Sequence, residues 1–133
     1  MTILVIMVAI VCCTPKEIEI TQELTEDTVV FNFCKESKGL EWDQLYIVRP
    51  YSNFENEQVD ILNIKKISNL SNTDIYILVV YVFDKKIVGF SKVPRSFDLL
   101  ALFDSKTDNL VEIDKDLCTF KFEKNGVAYQ LVL

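Results

Sequence analysis

The stretch that decides the fold is Ile75-Tyr76-Ile77-Leu78-Val79-Val80-Tyr81-Val82-Phe83. It is apolar throughout and rich in β-branched and aromatic residues, which predicts a β-strand covered on both faces. The polar turn Asp84-Lys85-Lys86 follows it, and a second, largely apolar run over residues 87–93 ends at Pro94. Together these features predict an antiparallel hairpin in a sheet, closed by a proline that cannot donate to the ladder.

Four other segments are predicted to be strands. Residues 28–34 are rich in β-branched and aromatic residues, and residues 42–49 contain an apolar run that predicts a central strand ending before Pro50. Residues 117–122 alternate between the two faces of a half-buried strand. Asn125-Gly126 predicts a hairpin turn with both residues at positive φ, which leads into residues 127–133.

A short helix is predicted over residues 54–64. Phe54, Val59 and Leu62 recur at nearly helical spacing, and Ser52 or Asn53 can cap the first turn. The expected fold class is α+β, with a single antiparallel β-meander sheet of about 5–7 strands and this helix packed on one face.

The first thirteen residues are predicted to be a lipoprotein leader. Residues 3–11 are uninterruptedly apolar and stop at Cys12-Cys13, a length that suits a signal peptide and is too short for a membrane-spanning helix. Cys13 is the preferred lipidation site because the residue before it is small, and Cys12 is the alternative. No basic residue precedes the run, so an N-terminal strand with both cysteines in the core stays open.

The chain is expected to consist of three parts. Residues 1–13 are the leader, residues 14–27 are a tether or an irregular lead-in, and residues 28–133 form a single domain. In that domain, Cys34 and Cys118 are either a disulfide or two buried thiols.

Charge and composition exclude several classes of partner and reaction. The net charge of −6 disfavours nucleic acid, and membrane contact is expected only through the lipid. The chain has no histidine and only three dispersed glycines, which removes histidine-based catalysis, the usual zinc ligand sets and glycine-rich phosphate loops. The carboxylates of residues 104–116 lack the glycine of a calcium loop, so we expect no metal, no cofactor and no catalytic residues.

The segment from Trp42 to Tyr51 has an unusual density of large and polar side chains. It is interpreted either as a core strand with a buried anchor at its start or as part of a protein interface. The candidate interface residues are Trp42, Asp43, Arg49, Tyr51 and Arg95.

The same segment carries a resemblance to a group of proteins. Trp42-Asp43, an apolar strand and Pro50-Tyr51 precede a short helix, and an apolar hairpin later leads into Pro94-Arg95-Ser96. This order resembles small, uncharacterised bacterial secreted proteins and lipoproteins. The resemblance implies export and one small α+β domain, and it carries over no catalytic residue.

The resulting expectation is a small bacterial protein of the cell envelope, periplasmic or extracellular and anchored by a lipid. It would act as a non-enzymatic binding or interaction module that binds a protein partner. A periplasmic inhibitor or immunity-type protein is the first alternative. A small carboxylate-dependent hydrolase is the second.

Overall fold

Two β-sheets make up the computed structural model, which describes residues 14–20, 23–25, 27–37, 39–52, 54, 60–67, 69–103 and 108–132. Within these residues the strands are β1 (Lys16–Glu17), β2 (Glu23–Thr25), β3 (Thr28–Asn32), β4 (Gln44–Val48), β5 (Tyr76–Phe83), β6 (Lys86–Pro94), β7 (Leu110–Ile113), β8 (Thr119–Asn125) and β9 (Ala128–Val132). The helical segments described are α1 (Phe33–Glu36) and 3-10 turns at Ile64–Ile67, Leu99–Leu102 and Lys115–Leu117.

The predicted apolar hairpin lies at the centre of the larger sheet. The strand order is β1-β6-β5-β4-β7, and β5 is antiparallel to both of its neighbours. Asp84 and Lys85 connect β5 to β6, and both have positive φ, as a two-residue type I′ turn requires. The outer strand β1 runs parallel to β6, which makes this sheet mixed.

The smaller sheet has the order β2-β3-β8-β9 and is antiparallel throughout. The largely antiparallel strand pairing is therefore confirmed. The prediction of an α+β fold with a single meander sheet is wrong, because the described strands form two sheets and the described helical segments are only short turns. The meander was predicted from neighbouring hairpins, but β3 pairs with β8 from the other half of the chain. The larger sheet is apolar on both faces, and the smaller sheet covers one of them.

Aromatic and aliphatic side chains fill the space between the two sheets. Phe31 of β3 and Phe122 of β8 meet edge to face with their ring centroids 5.7 Å apart. Leu45, Ile47 and Val79 of the larger sheet pack in the same cluster and are fully buried. Removing these side chains from water is the main force that holds the sheets together.

The opposite face of the larger sheet is covered by a segment with little regular structure. Its buried members Ile61, Ile64 and Ile67 recur at every third residue, a spacing that matches the 3-10 turn at Ile64–Ile67. The helix predicted over residues 54–64 is not formed at residues 60–63, which are turns or irregular, while residues 55–59 lie outside the described residues. Phe54 is buried as predicted, but Leu62 is 71% exposed.

The lead-in over residues 14–27 is part of the folded body where it is described. The Ile18 N–H donates to the Phe90 carbonyl at 2.8 Å, and the Ser91 hydroxyl donates to the Ile18 carbonyl at 2.8 Å. β2 joins the smaller sheet, so described residues of this lead-in pair with both sheets. The leader, with Cys12 and Cys13, lies outside the described residues.

The β8–β9 hairpin is displaced by one residue from its predicted turn. Asn125 pairs with Ala128, so the two loop residues are Gly126 and Val127. Only Gly126, with φ 66°, has positive φ, which is typical of a type II′ turn with glycine first. The type I′ geometry expected here is found instead at the β5–β6 turn.

Candidate functional site

Trp42, the first candidate interface residue, lies in the core. Its side chain is 7% exposed, and its Nε1 donates to Ser37 Oγ at 2.8 Å. The Ser37 hydroxyl in turn donates to the Phe33 carbonyl at 2.6 Å. The indole also meets the Tyr81 ring at a steep angle, with centroids 5.6 Å apart. These contacts match the interpretation of Trp42 as a buried strand anchor.

Lys115 connects this anchor to the surface. Its Nζ donates to the Trp42 carbonyl at 3.1 Å and lies 5.0 Å from the Trp42 ring centroid, a cation–π contact. The two residues are 73 positions apart. No local sequence pattern relates them, so only the tertiary structure reveals the pair.

A shallow groove of about 470 Å³, which we call the acidic groove, opens beside this pair. It is lined by Asp43, Glu112, Ile113, Asp114 and Lys115. The three carboxylate side chains are exposed.

The nearby phenol Tyr46 reports on the negative potential of this surface. Partial burial raises the pKa of Tyr46, and the charges of Glu112, Asp43 and Asp60 raise it further. Glu112 and Asp43 of the groove thus place negative charge near Tyr46, and a surface with this charge favours positively charged groups.

Strand β7 forms the edge of the larger sheet next to the acidic groove. The Arg49 N–H donates to the Asn109 carbonyl at 2.9 Å, so Asn109 faces β4. Because successive backbone groups of a strand point to opposite sides, the N–H and C=O groups of Leu110 and Glu112 face outward. Among the described residues, β7 has β4 as its single strand neighbour.

Arg49 lies beyond the other end of β4 and holds a loop in place. Its Nε donates to the Asp108 carbonyl at 2.7 Å, and its guanidinium lies 4.4 Å from the Phe103 ring centroid. Through these contacts, Arg49 supports the part of the chain that leads into β7.

Tyr51 and Arg95 belong to a second exposed area, the Tyr51 patch, with Asp74 and Ile75. Tyr51 has φ 57° and is 58% exposed, and Ile75 is 78% exposed. Desolvation and a hydrogen bond with Asp74 raise the pKa of the Tyr51 hydroxyl. The Arg95 N–H donates to the Ile75 carbonyl at 3.0 Å, which joins β6 to this patch.

The five candidate interface residues therefore do not form one surface. Trp42 is in the core and Asp43 is in the acidic groove. Arg49, Tyr51 and Arg95 lie at the opposite end of the larger sheet, about 17 Å away for a five-residue strand. Glu112 and Asp114, which complete the acidic groove, were expected only as part of a solvated acidic segment.

A disulfide joins Cys34 of α1 to Cys118, which precedes β8, with their Cα atoms 5.8 Å apart. Disulfides are typical of extracytoplasmic proteins. In the part of the chain that the structure describes, no helix has the length and apolarity needed to cross a membrane. The described residues also contain no group of three or more carboxylate, cysteine or histidine side chains placed to hold a metal ion.

Comparisons with protein-family models, curated proteins and solved structures found no match to this chain. The resemblance to small secreted proteins and lipoproteins accordingly stays a prediction.

Proposed function

We propose that this chain is an exported, lipid-anchored module of the bacterial cell envelope that binds another protein and catalyses no reaction. The observation that carries the proposal is the Cys34–Cys118 disulfide. Thiol–disulfide systems keep most cytosolic cysteines reduced, whereas a structural disulfide persists outside the cytoplasm. Export is also what the apolar leader ending at Cys12-Cys13 predicts.

The position of β1 constrains how such an anchor would work. With the lipid on Cys13, only Thr14 and Pro15 separate it from Lys16, the first residue of β1. Two extended residues span about 7 Å. The folded body would therefore lie against the membrane surface, since no long flexible segment separates the two.

The exposure of the carboxylates favours binding over hydrolysis. A carboxyl group that donates a proton near neutral pH is usually held in an apolar pocket. Asp43, Glu112 and Asp114 instead line an open groove and are exposed. Exposed charges arranged on one surface suit the recognition of a charged partner.

An inhibitor or immunity-type role is the second candidate, and the acidic groove is the observation that favours it. An acidic surface can mask the basic active-site rim of a toxin or hydrolase. This role is a special case of protein binding, so it shares the location and the anchor of the main proposal.

Metabolic labelling with a fatty acid tests the anchor. We expect the wild-type chain to incorporate the label, Cys13→Ser to lose it, and Cys12→Ser to keep it. Mass spectrometry of the mature N-terminus would identify the modified cysteine, and Cys34→Ser is the matched control for loss of a cysteine elsewhere. The proposal fails if the wild-type chain carries no label, or if label persists when both leader cysteines are replaced.

A further inference from the structure

We infer that the outer edge of β7 docks an extended, basic segment of a partner protein, which joins the larger sheet as an additional strand. The inference deepens the proposed binding role and rests on it. It names the surface that binds and the chemistry of the segment that is bound.

The backbone of β7 supplies the first part of the recognition. Leu110 and Glu112 direct their N–H and C=O groups away from β4. This follows from the Arg49–Asn109 hydrogen bond, because backbone groups alternate in direction along a strand. An outward row of donors and acceptors is a template for another strand, and β-strand addition is a common way to bind extended peptides.

The other sheet edges are less suitable. The outer side of β9 is already used at Tyr129, whose N–H donates to Ser96 and whose carbonyl accepts from Asp98. At the other ends of the two sheets, β1 contributes two residues and β2 three. The four residues of β7 are the longest edge among the described strands without such an internal contact.

Charge determines which segment would dock. The carboxylates of Asp43, Glu112 and Asp114 lie beside the β7 edge, and Lys115, the cation among the described residues of the groove, is already bonded to the Trp42 carbonyl. A lysine or arginine on the incoming strand would meet these carboxylates. Opposite charges on neighbouring strands stabilise pairing and like charges oppose it.

The two faces of β7 differ, which specifies the pattern of the incoming segment. Glu112 pairs with Tyr46 on the face away from the smaller sheet, whereas Val111 and Ile113 pack against the core between the sheets. Residues of an added strand alternate between the same two faces. The expected segment therefore alternates basic residues, which face Glu112, with apolar residues, which extend the core.

Two other occupants fit less well. A second copy of the chain paired through β7 would bring the Glu112 and Asp114 carboxylates of both copies together, which is electrostatically unfavourable. The leader of the same chain has no lysine or arginine, so it does not complement the groove.

The test is binding of a fluorescent peptide, Lys-Val-Lys-Val-Lys-Val-Lys, to the purified full chain, followed by fluorescence anisotropy. We expect affinity to fall about tenfold or more in Glu112→Lys, since a like charge then faces the peptide. Glu123→Lys on β8 is the matched control, because the same charge change there is remote from β7, and it should leave the affinity nearly unchanged. Unfolding midpoints of both variants would verify that they are folded.

Hydrogen exchange separates strand addition from simple charge attraction. Bound peptide should slow exchange at the Leu110 and Glu112 amides, and a peptide methylated on alternate backbone nitrogens should bind weakly and protect neither amide. The inference is overturned if Glu112→Lys and Glu123→Lys weaken binding equally, if a Glu-Val peptide binds as well as the Lys-Val peptide, or if the two amides stay unprotected. It is also overturned if the peptide does not bind, whether or not the chain self-associates through β7.

The peptide test and the labelling test fail independently. Peptide binding is measured on the purified chain, so its failure removes the β7 site and leaves the anchor result as it stands. Absence of lipid in the cell removes the proposed anchor and leaves the peptide result unchanged.

Discussion

At the scale of single residues, Tyr81 shows how a polar group is placed in this core. Its ring is fully buried, and its hydroxyl lies 3.1 Å from Ser91 Oγ. Ser91 donates to the Ile18 carbonyl, so the phenol, the serine and the lead-in form one hydrogen-bonded chain. Burial raises the pKa of Tyr81 to about 12.

This raised pKa predicts a loss of stability at alkaline pH. From pH 10 upward the unfolded chain releases the Tyr81 proton while the folded chain keeps it, so the unfolded state is favoured. Between pH 10 and pH 12 the free energy of unfolding should fall by on the order of 2–3 kcal/mol from this residue, and below pH 10 its contribution should be constant.

Urea unfolding at a series of pH values measures the effect, with Tyr81→Phe as the variant that cannot ionise. The variant should lose about 1 kcal/mol at pH 7 through the missing hydrogen bond. Above pH 10, the free energy of unfolding of the variant should decline less steeply than that of the wild type. An equally steep decline in both proteins would show that Tyr81 is not responsible.

At the scale of elements, the docking of β1 on β6 depends on Gly89. A Cβ at this position would lie 2.8 Å from Leu40 Cδ2, 3.1 Å from the Lys16 carbonyl oxygen and 3.3 Å from Ile18 Cδ1. The leucine tip can rotate away, but the backbone of β1 cannot move without weakening its pairing with β6. Glycine is needed here for close approach of the two strands.

Gly89→Ala should therefore destabilise the protein by about 1–3 kcal/mol, the usual cost of overpacking. Amide exchange at Ile18 should accelerate at the same time, because the added Cβ would push β1 away from β6 and weaken the Ile18–Phe90 hydrogen bond. Adding Leu40→Ala removes the shortest contact, so the double variant should lose less stability than the sum of the two single variants. Unchanged stability and Ile18 protection in Gly89→Ala would contradict this account of β1.

At the scale of the whole molecule, the disulfide stabilises the pairing of distant parts of the chain. Cys34 and Cys118 are separated by 84 positions, and they lie near the ends of β3 and β8, which pair in the smaller sheet. The Phe33 N–H also donates to the Cys118 carbonyl at 3.0 Å. A covalent link across so long a loop limits the conformations of the unfolded chain.

Loss of this link should lower the free energy of unfolding by about 2–5 kcal/mol. Denaturant unfolding of the wild type with and without a reductant measures the change. The double replacement Cys34→Ala with Cys118→Ala is the control, since its stability should be low and insensitive to the reductant. If wild-type stability does not depend on the reductant, the disulfide is not a major stabilising element.

Much of the strand content could be predicted from local sequence. The apolar run of β5 and the alternation in β8 are properties of neighbouring residues, so they were visible without a fold. Turn geometry was harder to predict from sequence, because Asp84-Lys85 adopts the type I′ conformation without the glycine that usually marks it. Residues 60–63 of the predicted helix are turns or irregular, because the buried residues Ile61, Ile64 and Ile67 repeat at every third position and cover the sheet from turns.

The candidate site was harder to predict than the strands. The density of large and polar side chains around Trp42 pointed to one interface. In the structure the indole is buried and β4 separates the two ends of this segment, so the candidate residues are divided among the core, the acidic groove and the region around the Tyr51 patch. The β7 edge arises only when β4 pairs with β7 on one side. No single segment contains that information.

By itself, the sequence determined the β-rich character of the chain, its acidic charge and the absence of histidine chemistry, because these depend on residue types and their immediate neighbours. The tertiary structure decided that the described strands form two sheets, that Lys115 contacts Trp42, that Cys34 pairs with Cys118, and that β7 forms an edge beside three carboxylates. Each of these joins residues far apart in the chain. Such contacts are selected by how buried faces fit together in three dimensions, which local patterns do not encode.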